Sequence, residues 1–333
     1  MQTVHIIGGS NSLLRDGWAP QFAQLAQDRQ VVNLSLGAAT SLIGIFRILR
    51  DEVPDGATVI WEYALNEQNH FTGGQSVESL IHHLHWFLEL CARRDISVLP
   101  LIFWNRDEMS DGSATEYRDA LRACLRGRGL KPIDMKPMLR QFAQNRDRTI
   151  DELYQDRMHY RIGSGVPRRI ATAARNRLDE ACVPTARPEL NGLDLTLHRP
   201  EGEPDEHFAN RIVKADLYAV DHELEFRADG RLLCCFIMSG DAGRPVIVGT
   251  EDAIVGHYST RCPPGKGNLS RLMKHLVLWK TEGDIHQIGG RARLRRSGAE
   301  CLEVEVQNMF APPAHDATGQ PEKVMSILVE HPA

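Results

Sequence analysis

Residues 3–9 read TVHIIGG and residues 10–14 continue as SNSLL. An apolar run that closes on two glycines and two serines is how a buried strand enters a tight turn. The rhythm recurs through the first half of the chain. QVVNLSLG (30–37), ATVIWEYAL (57–65), ISVLPLIFW (96–104) and the short LKPIDM (130–135) read as further strands. Between them GWAPQFAQLAQD (17–28), SLIGIFRILRDEV (41–53), SVESLIHHLHWFLELCARRD (76–95) and ATEYRDALRACLRGRG (114–129) carry apolar residues at helical spacing. SGVPRRIATAARNRLDEA (164–181) reads as a closing helix, with Ser164 as its cap and Pro167 in its first turn. Strands separated by helices of this length pair in parallel through right-handed crossovers. Residues 1–183 are therefore expected to form an α/β domain, a doubly wound, flavodoxin-like parallel sheet of about five strands flanked by helices.

The texture changes at CVPTARPELNG (182–192), where Pro184, Pro188 and a glycine break the pattern. Residues 184–192 read as a linker. Beyond it lie short β-prone runs, among them LDLTLH, VKADLYAV, HELEFRA, RLLCCFIM, PVIVG, LVLWK and CLEVEVQ, while NLSRLMKHL looks helical in part. Residues 193–333 are expected to form a second, β-rich domain of sandwich or jelly-roll type, of the kind that binds carbohydrate or substrate.

Bulk properties exclude several classes. Of the 333 residues, 42% are hydrophobic and 25% charged, which fits an ordered globular protein. The net charge of −5 provides no basic field for nucleic acid. No apolar run approaches the ~20 residues of a membrane-spanning helix. VHII begins without a preceding basic stretch, and the seven scattered cysteines lack metal or disulfide spacing. These features predict a cytoplasmic protein with reduced thiols, no metal and no cofactor. His82, His83 and His85 lie on one predicted helix without a carboxylate or cysteine to complete a metal site, so His85 is expected to pack and the others to face water. CPPGKGN around Lys266 lacks the phosphate-loop spacing and reads as a surface turn. Arg291, Arg293, Arg295 and Arg296 crowd one predicted strand, which reads as a solvated face or edge protection ahead of an anion site.

In an open parallel sheet, ligands bind outside the carboxyl ends of the strands. The residues directly after the predicted strands are Gly9 and Ser10, then Gly37, then Asn66; Asp156 and His159 precede the closing helix. Together these types suit acyl transfer. A serine hydroxyl needs a base, the base needs an acceptor that fixes its tautomer, and a tetrahedral oxyanion needs preorganised N–H donors. Ser12 is a rival nucleophile on the fragment alone, though it lies farther from the strand end.

The order and spacing resemble the SGNH (GDSL-type) hydrolases over residues 1 to 182. IIGGSNS resembles the first of their four short blocks, LSLGAAT the second, YALNEQ the third and DRMH the D-x-x-H of the last. The resemblance implies Ser10 as nucleophile, His159 as base and Asp156 as its partner. It also implies an oxyanion hole from the N–H groups of Ser10 and Gly37 and the Asn66 amide. Gly9 stands where the family usually has aspartate, and Ala64 and Glu67 stand where glycine and aspartate are usual, which marks a divergent branch. The expected activity is that of a serine esterase removing a short acyl group, acetyl foremost, from a carbohydrate or similar polar substrate. The alternatives are an O-acyltransferase in glycan synthesis with the same triad, and a non-catalytic SGNH-like binding module.

Overall fold

Strand β1 (Thr3–Gly8) is buried from Val4 to Gly8, so both of its faces are covered and its sequence is almost continuously apolar. Its neighbours are β2 (Gln30–Asn33) and β3 (Thr58–Glu62), and β4 (Ser97–Ile102) and β5 (Ile133–Asp134) complete a five-stranded sheet in the order β2-β1-β3-β4-β5. Every pairing in it is parallel. The structure, a computed structural model, describes residues 2–110, 115–221, 223–240, 245–251, 253–263, 271–281, 286–297, 303–307, 310–313 and 322–333. The chain divides into two compact units, Met1–Glu189 and Leu190–Ala333.

In the first unit the connections are α1 (Trp18–Leu25), α2 (Ser41–Leu49), α3 (Ala64–Thr72), α4 (Val77–Arg93), α5 (Arg106–Ser110), α6 (Glu116–Gly127), α7 (Met135–Gln144) and α8 (Val166–Asn176). Local chemistry sets several starts. Thr40, Ser76 and Thr115 cap α2, α4 and α6 by accepting from the N–H groups of Leu42, Ser79 and Arg118. Helix α2 is buried from Ser41 to Ile48, and a Cβ at Gly44 would lie 2.7 Å from the Phe87 ring, so glycine is what lets α2 lie against α4. Gly165 starts α8 in a left-handed conformation (φ 87°), and Ser164 Oγ accepts from Val166 N–H at 3.2 Å.

Three helices depart from the sequence pattern. α3 takes over at Ala64, where ATVIWEYAL suggests continuing strand, and α5 and α7 fill stretches that read as connections. Residues expected to be linker are bonded into the first unit: Thr185 N–H donates to the Arg128 carbonyl and Arg187 N–H to Glu89 Oε2 at 2.8 Å. Glu89, itself buried, also accepts from Arg128 Nη2 at 2.9 Å.

The second unit holds β6 (Leu193–His198), β7 (Glu206–Ala209), β8 (Lys214–Ala219), β9 (Leu224–Met238), β10 (Val246–Thr250), β11 (Ile254–Tyr258), β12 (Met273–Val277), β13 (His286–Arg296) and β14 (Lys323–Pro332), all paired antiparallel. The runs HELEFRA and RLLCCFIM are one strand, β9. It pairs with β13 through Leu232 and with β12 from Cys234, and the register against β14 shifts at the same place. An unmatched residue bends a strand, and here the bend lets β9 serve two partners around a core that includes Phe226, Leu232, Cys235, Leu276 and Ile327. Part of NLSRLMKHL, expected to be helical, is strand β12, because β9 offers its backbone groups a ladder there. The Lys266 turn and Cys301 fall outside the described residues.

Removing the Glu89 carboxylate leaves Arg128 buried without its partner and frees the Arg187 N–H. Glu89→Ala should destabilise the first unit by about 3–5 kcal/mol. Urea unfolding followed by tryptophan fluorescence reads this directly, since Trp18, Trp61, Trp86 and Trp104 all lie there.

Candidate active site

The strand order reverses between β1 and β3, so the chain leaving β1 and the chain leaving β3 diverge and open a crevice at the carboxyl edge. Ser10 lies at the exit of β1, as the first residue of a single 3₁₀ turn, Ser10–Ser12. Asn66 lies in the first turn of α3, directly after β3. Gly37 follows β2, and a Cβ built on it would sit 3.4 Å from Ser10 Cβ, so its backbone lies over the serine. The structure brings all five residues expected from the sequence, Ser10, Gly37, Asn66, Asp156 and His159, to this edge or onto the loop that meets it.

Ser10 Oγ lies 2.7 Å from His159 Nε2. On the other side of the ring, His159 Nδ1 lies 3.0 and 2.9 Å from the two Asp156 oxygens. Asp156 Oδ1 accepts as well from the N–H groups of Met158 and His159 at 2.8 and 2.9 Å, which folds the DRMH segment around its own carboxylate. Burial works against ionising Asp156, but the bonds from Met158 N–H, the His159 ring and His159 N–H outweigh it and hold the carboxyl below its usual range. The pair remains open to solvent, with the Asp156 side chain 51% and the His159 side chain 27% exposed.

Asn66 is only 4% exposed, and its Nδ2 meets no hydrogen-bond partner among the described residues. A buried amide donor left without an acceptor is unusual. This one stands against Gly9, the residue before Ser10.

Gly9 is explained by the same amide. A Cβ at position 9 would lie 2.5 Å from Asn66 Oδ1 and 2.8 Å from Nδ2, so no larger residue fits while Asn66 stays where it is. Glu67, the second departure, is buried and structural. It accepts from Ser41 N–H at 2.8 Å, Ser41 Oγ at 2.6 Å and Tyr117 Oη at 2.6 Å, joining α2, α3 and α6. Burial raises its carboxyl despite those bonds.

Ser12, the rival serine, is 1% exposed and occupied: its Oγ donates to Glu62 Oε2 at 2.7 Å and accepts from Trp18 Nε1 at 3.2 Å. Two residues behind this turn do not stand out in the sequence. Glu62, the last residue of β3, accepts from Gly9 N–H at 3.1 Å as well as from Ser12. Asn11 reaches the DRMH segment, donating to the Met158 carbonyl at 2.9 Å and accepting from Tyr160 N–H at 3.1 Å. The sequence signal for either is polarity inside an otherwise apolar context.

The other sequence clusters resolve without a site. No group of three or more His, Cys, Asp or Glu able to hold a metal occurs among the described residues. His83, expected at the surface, is the fully buried histidine of its trio, while His82 and His85 are half-buried. Trp86 Nε1 donates to His82 at 3.1 Å. The arginines of β13 are neutralised within their own unit: Arg291 and Arg293 lie 3.4 Å from Glu225, Arg295 lies 3.9 Å from Glu223, and Arg296 lies 3.4 Å from Asp221. Six described cysteines are free thiols, and no described helix is long and apolar enough to cross a membrane.

Burial pushes the Glu62 carboxyl up to about 8, against the bonds from Ser12 and Gly9, whereas in the unfolded chain it titrates near 4.5. The stability it contributes in its protonated form is therefore full below about pH 4.5 and is lost as pH rises through about 8. Glu62→Gln keeps an acceptor for both donors but cannot ionise. Its melting temperature relative to the parent should climb steadily from pH 5 to pH 9, which parallel thermal melts across that range would detect.

No family model and no curated protein matches the sequence. Solved structures do match. A two-domain esterase active on acetylated mannans, co-crystallised with mannopentaose, aligns over 100% of this chain and 91% of its own at 10% identity and a TM-score of 0.65. A second structure of a two-domain esterase active on acetylated mannans covers 100% and 92% at 10% identity, with a TM-score of 0.64. A lipolytic G-D-S-L family protein from Veillonella parvula covers 52% of this chain and 96% of its own at 16% identity and a TM-score of 0.43. In fold, this chain is similar to that two-domain esterase: a five-stranded parallel α/β unit followed by an antiparallel β-rich unit.

Proposed function

We propose that the protein is a serine esterase that removes a short acyl group, acetyl foremost, from a carbohydrate through an acyl-Ser10 intermediate. The observation that carries this is the unbroken line Ser10 Oγ–His159–Asp156, with bonds of 2.7 Å and 2.9 Å, beside the unpartnered Asn66 amide. Ser10 Oγ attacks the ester carbonyl as His159 Nε2 takes its proton. Asp156 holds Nδ1–H and so presents Nε2 as the acceptor. Ser10 N–H, Gly37 N–H and Asn66 Nδ2 hold the oxyanion. The intermediate collapses when His159 protonates the departing sugar oxygen, and water activated by the same nitrogen then releases the acid from Ser10.

Two observations bear on the substrate. The esterases of the same two-domain fold act on acetylated mannans, which favours an acetylated glycan. Solvent exposure of Asp156 and His159 admits water to the acyl-enzyme, which favours hydrolysis over transfer to a sugar acceptor. The second unit is a weak candidate for sugar stacking. Tyr218, Phe226, Phe236, Tyr258, Trp279 and Phe310 are buried, and Arg271 covers the ring of the half-buried Phe208 at 4.9 Å. Among the described residues, ring stacking therefore lends no support to the carbohydrate-binding role expected for residues 193–333.

Hydrolysis of p-nitrophenyl acetate tests the chemistry. Ser10→Ala should lower turnover by ~10⁴-fold or more. Ser12→Ala leaves Glu62 short of a donor and should lose about 1–3 kcal/mol of stability while keeping most of its activity. Ser10→Ala with most of its activity intact would remove the nucleophile assignment. Asn66→Ala should lower kcat by ~10²–10³-fold, and Gly9→Ala should act in the same direction by displacing the amide. Acetate release from acetylated mannan, with and without a sugar acceptor, separates hydrolysis from transfer: an acetylated acceptor as the main product identifies a transferase.

A further inference from the structure

The proposed base sits on an exposed loop and must meet a serine 149 positions away in the sequence. Exposed connections are the mobile parts of a fold, yet an acid–base pair must hold its geometry within ~0.5 Å. Several attachments restrain this loop, among them Arg106 N–H donating to the Arg157 carbonyl at 2.9 Å and Arg157 Nε donating to Asp107 Oδ2 at 2.7 Å. Tyr154 and Tyr160 fasten it to the end of β4: Tyr154 Oη donates to the Trp104 carbonyl at 2.8 Å, and Trp104 N–H donates to Tyr160 Oη at 3.3 Å. Neither of these bonds reaches the turn that carries Ser10.

Asn11 joins the loop to that turn. Its side chain is buried, with the residue 3% exposed, and both ends of its planar amide are used. Nδ2 donates to the carbonyl of Met158, and Oδ1 accepts from the N–H of Tyr160. These are the two residues that flank His159, so one rigid group attached next to Ser10 grips the backbone on both sides of the imidazole. Two bonds from one plane fix tilt as well as distance. Asn69 adds a weak contact from α3, its Nδ2 lying 3.5 Å from Met158 Sδ. Leucine at position 11 would make neither bond, and aspartate would set a carboxylate against the Met158 carbonyl.

Resting on the catalytic roles proposed above, we propose that Asn11 is a positioning residue whose amide sets the reach of His159 Nε2 to Ser10 Oγ. A misplacement of about 1 Å costs on the order of 10²-fold in rate. Asn11→Ala should therefore lower kcat for p-nitrophenyl acetate by ~10²-fold with KM little changed. Asn11→Asp should be as impaired at neutral and alkaline pH. It should regain activity relative to the parent as pH falls, because the protonated carboxyl restores a donor to the Met158 carbonyl. A purely structural residue would change the melting temperature without this pH-dependent recovery. The crystal structure of the Asn11→Asp or Asn11→Ala protein, whichever is folded, should show Oγ and Nε2 separated beyond about 3.2 Å at neutral pH. A folded variant with parental kcat, or with the Oγ–Nε2 bond intact, overturns the proposal. The structural test needs no turnover, so a parent protein that hydrolyses no ester would defeat the esterase assignment and leave the positioning question to be decided by the distance.

Discussion

Parallel pairing of β1 with both β2 and β3 is the constraint on which the rest of the first unit depends. It brings three chain exits to one edge and, because the order reverses between β1 and β3, spreads two of them apart. Ser10, Gly37 and Asn66 are simply what those exits carry. The DRMH loop comes from far along the chain and has to be fastened to this edge, which is the task of Asn11, Tyr154 and Tyr160. The sheet thus supplies the fixed half of the site, and hydrogen bonds to peptide groups hold the other half against it.

Much of this is legible in the sequence because strong periodicity and glycine punctuation mark buried parallel strands. The five strand positions emerge from such runs, and three of the five candidate residues from the turns just beyond them. The choice between Ser10 and Ser12 cannot be made from their own fragment. It turns on Glu62, fifty residues away, which engages Ser12 from behind. Likewise Asn11 looks like an ordinary turn residue until the loop at 156–160 is folded against it. Helix α3 is hidden because it begins at the last residues of an apolar run, where strand and helix propensity do not differ enough to mark the change. The apolar face of α7 is hidden in the same way, directly after the short strand β5.

The second unit is legible as β-rich but not in its pairing. Long-range register depends on contacts between distant segments, and β9 illustrates the problem: two apparent strands are one, bent where it exchanges β13 for β12. Its charges also read differently in isolation. Four arginines on β13 suggest a cationic surface, yet acidic residues at 221, 223 and 225, near the start of β9, meet them across the sheet. Sequence displays the cations as a cluster; only pairing reveals that each of them has an acidic neighbour.

The close approach of Gly9 to Asn66 has a consequence for how such a chain can change. On this backbone, any side chain at position 9 and the present seat of the Asn66 amide exclude each other. A side chain at position 9 has room only if the amide moves, so the two positions are sterically coupled. Any enlargement of residue 9 therefore has to move the turn and the amide together while the serine keeps its place.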